Sequence, residues 1–133
     1  MVVEHIGIAV TKPFEMAKWY RDNLGFHILF SSEGDVKSNE MAFISDDNSS
    51  IIIEVFKSPN QPSLQEVLED PIQFHIAFVS ENIEQDCKRL VDHGAVFVEK
   101  QPEKHKGEIL MLFRDPFGNT IQLVKRGEVI HLK

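Results

Sequence analysis

The chain has 133 residues, 42% of them hydrophobic, and a formal net charge of −7. The size suits one compact domain with a real core, and an acidic chain with no basic stripe excludes nucleic acid as the expected partner. No apolar run approaches bilayer length, MVVEHIGIAV carries no basic n-region or cleavage pattern, and the lone Cys87 has no internal disulfide partner, so the expectation is a cytoplasmic protein with no membrane partner.

Residues 2–10 alternate around His5 and predict a strand. Pro13 opens a helix, FEMAKWYRDNL continues it, and Gly25 ends it. FHILFS (26–31) predicts a strand that leads into the polar loop SEGDVKSN. MAFIS (41–45) and the β-branched SIIIEVF (50–56) predict two more strands, joined by the turn DDNSS. Residues 58–72, with three prolines and the short helical stretch SLQEVLED, form a linker.

The order then repeats. FHIAFVS (74–80) predicts a strand, and NIEQDCKRLVDH (82–93) a helix capped by Asn82 and stopped at Gly94. AVFVEK (95–100), EILMLFR (108–114) and TIQLVK (120–125) predict strands, with QPEKHKG and DPFGN between them. The tail GEVIHLK reads as a short extra strand or a frayed end. His75 follows His5 by 70 residues, Gly94 follows Gly25 by 69, and Gln122 follows Glu54 by 68. Three landmarks in one register indicate an internal duplication of a strand–helix–three-strand module. Module one covers about 2–57 and module two about 73–126, within one domain over 1–133.

The four repeated polar residues are two imidazoles and two side-chain oxygens, a donor set suited to a metal. Alternation puts His5, Gly7 and Ala9 on one face, and His75, Ala77 and Val79 on another. Small neighbours leave room there for a ligand. Glu54 interrupts IIIEVF, where a carboxylate is costly to bury without compensation by a cation, either a metal or a Lys or Arg.

HIGIAV (5–10), WYRDNLGF (19–26) and DPFGNTIQL (115–123) resemble signatures of the vicinal oxygen chelate superfamily. That superfamily includes glyoxalase I, fosfomycin-resistance enzymes, methylmalonyl-CoA epimerase, extradiol dioxygenases and bleomycin-binding proteins. The similarity runs over residues 2–125. It implies an α+β fold of two tandem βαβββ modules, forming a curved mixed sheet around a metal cleft, and a homodimer. It further implies one divalent ion (Ni, Zn, Co, Mn or Fe) on His5, Glu54, His75 and Gln122, and a small-molecule substrate chelating it through adjacent oxygens.

Glyoxalase-type members commonly place a second glutamate where this chain has Gln122. Glutamine ligates through its carbonyl oxygen but takes no proton, which leaves Glu54 as the base. One base on one face suits a lyase or isomerase working through an enediolate, whereas epimerisation needs groups on both faces. Glutathione-reading residues do not carry over, since Ile8-Ala9 and Glu54-Val55-Phe56-Lys57 stand where glyoxalase I proteins have an arginine and E-L-T-x-N-W. The alternatives are a metal-free sequestering protein like the bleomycin-resistance members, or a thiol transferase like the fosfomycin enzymes, whose carboxylate sits late in the chain. His27, His93, His105 and His131 lack partnered spacing, Cys87 reads as inert, Trp19, Tyr20 and Phe26 read as core, and the facing of Phe43, Met111 and Phe113 is open.

Overall fold

A computed structural model describes residues 1–127. The chain divides into two compact units, Met1–Val67 and Leu68–Lys133. The tail from 128, including His131, lies outside the described residues.

The first unit runs β1 (Ile6–Ala9), α1 (Pro13–Leu24), β2 (His27–Ser31), β3 (Met41–Ser45), β4 (Ile52–Phe56) and the single helical turn α2 (Leu64–Val67). Its sheet has the order β1-β4-β3-β2. β1 runs parallel to β4, and the other pairs are antiparallel. α1 begins with Pro13 and ends at Gly25, whose φ of 72° is left-handed and suits glycine. Pro13, Met16, Ala17 and Tyr20, spaced i, i+3, i+4, i+7, are its buried stripe. They cover the sheet face carrying Ile8, Val10, Ala42, Ile44, Ile53 and Val55, all buried.

The second unit begins with a short 3-10 turn (Pro71–Gln73), then β5 (Ile76–Val79), α3 (Ile83–Asp92), β6 (Val96–Lys100), β7 (Ile109–Arg114) and β8 (Thr120–Lys125). Its order, β5-β8-β7-β6, is that of the first unit, with β5 parallel to β8. Asn82 caps α3 by accepting from the backbone N–H of Gln85. Ile83 and Leu90 of α3, with Phe113, Ile121 and Leu123 of the sheet, are buried.

The duplication extends to small irregularities. A register shift interrupts β2 between Ile28 and Phe30, and another interrupts β6 between Phe97 and Glu99. Val10 donates its N–H to the Phe56 carbonyl just as Ser80 does to that of Val124. The fold is therefore α+β, built as two four-stranded mixed sheets, neither closed into a barrel.

Two expectations need correction in detail. β1 starts at Ile6 rather than residue 2, because β4 starts at Ile52 and offers Val2 and Val3 nothing to pair with. Ile6, the first residue of the strand, is 40% exposed. The helical stretch in SLQEVLED is four residues long, and Asp70 instead caps the 3-10 turn by accepting from the N–H of Ile72. Among the described residues no helix is long and apolar enough to cross a membrane.

Candidate metal centre

Each unit supplies two of the four expected donors. In the first, Glu54 of β4 stands opposite Gly7 on one side and Phe43 on the other. The carboxylate leans over β1: a Cβ placed on Gly7 would lie 3.4 Å from Glu54 Oε1 and 3.5 Å from the Phe56 ring. A larger side chain at position 7 would push the carboxylate away. His5 precedes β1 by one residue, and its ring meets the edge of Phe43 with centroids 5.4 Å apart. Since β4 lies between β1 and β3, the imidazole extends over the strand that carries Glu54. Met41, Phe43 and Phe56 are half-buried on the Glu54 face, while Ile53 and Val55 are buried on the other.

In the second unit the same register recurs. Ala77 stands opposite Gln122, as Gly7 does opposite Glu54, and His75 precedes β5 by one residue. Gln122 is 7% exposed and donates its Nε2 to Oε1 of Gln101.

Both histidines are engaged through Nδ1. His75 Nδ1 lies 2.8 Å from the Ile72 carbonyl, which can only accept, so Nδ1 carries the proton. His5 Nδ1 lies 2.7 Å from Glu4 Oε2, another acceptor. In the neutral ring this leaves the Nε2 lone pair for a metal, with the partner on the other nitrogen fixing the ring. Among the described residues nothing is hydrogen-bonded or ion-paired to Glu54. A half-buried carboxylate, two imidazoles with free Nε2 and an amide whose nitrogen is already held fit a divalent ion. Neither unit completes the set, and among the described residues no three His, Cys, Asp or Glu side chains gather around one point.

A cavity of about 390 Å³ opens beside His5, lined by Glu4, Ile6, Ser49, Ser50 and Ile51 among others. Phe43 lies on the Glu54 face, but Met111 and Phe113 stand opposite Leu123 and Ile121, on the face away from Gln122. Tyr20 and Phe26 are buried as core residues, and Trp19 is half-buried. His27 lies 3.8 Å from Asp47, and His93 Nδ1 bonds the Arg89 carbonyl. Burial pushes the Cys87 thiol up, which keeps it protonated and a poor nucleophile. DPFGN is a structural turn: the buried Asp115 accepts from the N–H groups of Phe117 and Asn119 and from the Asn119 amide. Sequence reasoning missed Glu4 and Gln101. The duplication offered a signal for Gln101, since it falls 69 residues after Ser32 at the end of an equivalent strand.

The model of the glyoxalase/bleomycin resistance protein/dioxygenase superfamily matches residues 2–123. The chain belongs to that superfamily. Among curated protein sequences none matches it. Its fold is similar to that of a glyoxalase family protein from Enterococcus faecalis, with 24% identity, a TM-score of 0.66, and coverage of 93% of this chain and 97% of that one. It is also similar to the fosfomycin resistance protein FosX from Listeria monocytogenes complexed with Mn(II) and sulfate, with 18% identity, a TM-score of 0.70, and coverage of 97% and 94%. A mutant of the same FosX, complexed with Mn(II) and 1S,2S-dihydroxypropylphosphonic acid, gives 19% identity, a TM-score of 0.72, and coverage of 97% and 95%. Likeness at these identities concerns the fold, which hosts many chemistries.

Proposed function

We propose that this superfamily member holds a divalent ion on His5, Glu54, His75 and Gln122. In this reading the chain is a lyase or isomerase of the glyoxalase I type, acting on a small oxygenated substrate. The observation that carries it is Glu54, a half-buried carboxylate with no partner among the described residues, on the same sheet face as an imidazole whose Nε2 is free. Solved relatives with bound Mn(II) support a metal in this fold.

Bound there, the ion would polarise two adjacent substrate oxygens and so acidify the C–H bond alpha to the polarised carbonyl. Glu54 takes that proton and returns it to the neighbouring carbon. Gln122 has no proton to exchange, and both histidines keep their Nδ1 protons in hydrogen bonds. Met41, Phe43 and Phe56 form an apolar wall for the substrate's carbon skeleton and limit water at the base.

The chain works as a homodimer. β2 and β6 are sheet edges, and they expose Leu29, Phe30, Val96, Phe97 and Val98 by 44–61%. Open apolar edges are templates for association, and a second copy covers them.

The test is elemental mass spectrometry of the whole chain beside His5→Ala and Glu54→Gln, followed by a screen of α-hydroxycarbonyl and hemithioacetal substrates. About one divalent ion per chain is expected, lost in His5→Ala. Glu54→Gln keeps an oxygen donor and loses the base, so kcat should fall by about 10²–10⁴ with the ion retained. Protein that takes up none of Ni, Co, Mn, Zn or Fe would overturn this reading. It would favour a metal-free sequestering module, for which the apolar Glu54 face and the charge of −7 suit a planar cationic ligand.

A further inference from the structure

The second unit makes a contact the first does not, and it falls on a proposed ligand. Gln101 follows β6 directly, and its backbone N–H donates to the Leu110 carbonyl at 2.8 Å. Its counterpart in the first unit is Ser32, which follows β2 and donates its N–H to the Met41 carbonyl at 3.0 Å. From that shared position the side chains diverge. Ser32 Oγ turns back onto the carbonyls of Asn39 and Met41, at 2.7 and 3.3 Å, and leaves Glu54 alone. Gln101 Oε1 accepts from Nε2 of the buried Gln122.

The chemistry of the two oxygen donors explains the difference. A carboxylate has two equivalent oxygens, so turning it over changes nothing. A primary amide has one oxygen and one NH2 group, and a half-turn replaces the acceptor with a donor that a cation repels. A glutamine ligand therefore needs a neighbour that fixes its rotation, and a glutamate ligand does not. Gln101 presents its Oε1 to the NH2 of Gln122, which leaves the Gln122 oxygen as the other end of the amide.

We propose that Gln101 is the positioning residue that makes Gln122 an oxygen donor toward a divalent cation. The inference rests on the metal reading above and adds to it the residue on which one ligand depends.

Mn(II) titration calorimetry on the whole chain tests it, with side-chain amide NMR of Gln122 in metal-free protein as a second readout. Gln101→Leu should weaken Mn(II) binding by about 10–100-fold and shift the Gln122 amide resonances, with little change in Tm. Gln101→Glu, an acceptor only, should retain binding. In a Gln122→Glu background, Gln101→Leu should cost under about threefold, because a carboxylate needs no orienting. Wild-type binding that persists unchanged in Gln101→Leu would overturn the proposal. So would an equal loss in both backgrounds, which marks a packing effect. A wild type that binds no Mn(II) or other divalent ion overturns the metal reading itself and this inference with it, an outcome distinct from a change confined to the variants.

Discussion

Single residues here are set by what faces them rather than by their own type. Glu54 and Gln122 hold equivalent register positions, yet one carboxylate is open and one amide is tied to Gln101. Asp86 shows the same dependence on neighbours. Burial pushes its carboxyl up, but hydrogen bonds from Ser80 and Arg89, each 2.5 Å, together with the Arg89 charge, outweigh this and hold it below the usual carboxylate range. A depressed folded-state pKa contributes stability that is present above the unfolded value near 4 and lost as pH falls through the folded value. Asp86→Asn should therefore lower Tm at pH 7, and the gap to wild type should narrow by pH 3. A gap independent of pH would show that the charge is not what stabilises this corner.

Elements were legible where their signals were local. α1 runs from Pro13 to Leu24 as its proline and glycine punctuation predicts, and β8 occupies the expected 120–125. Strand ends were less legible, because the end of a strand depends on the length of its neighbour, as with β1 against β4. The open end of the β7–β8 hairpin is closed by an ion pair that periodicity cannot show. Glu108, 4% exposed, accepts from Arg126 Nη1 at 2.9 Å, just beyond the Ile109–Lys125 pair. Arg126→Met leaves that carboxylate buried without its partner and should cost about 3–5 kcal/mol in a urea titration. Adding Glu108→Met should recover most of the loss, since a matched apolar pair has no charge to desolvate. If the double variant is no more stable than the single one, the pair is not what closes the hairpin.

For the whole molecule, the two sheets share order, register, bulges and the hydrogen bonds at their strand ends. Their exposed apolar edges lead to a prediction at this scale. Light scattering should give the mass of a dimer, and Val96→Lys with Val98→Lys, both facing solvent on edge strand β6, should shift it toward monomer at unchanged fold. A chain that is monomeric at all concentrations would refute the association.

The sequence by itself determined the duplication, the family, the element order and the four candidate donors. These rest on spacing, alternation and turn chemistry, which act over a few residues or repeat along the chain. Only the tertiary structure decided that Met111 and Phe113 turn away from the Gln122 face, that Glu54 leans over Gly7, and which nitrogen of each histidine is free. It alone showed that Gln101, in a stretch that reads as loop, meets Gln122 across 21 residues. The physical reason is that strand register and side-chain hydrogen bonds join residues distant in the chain, and no local pattern specifies which partners meet.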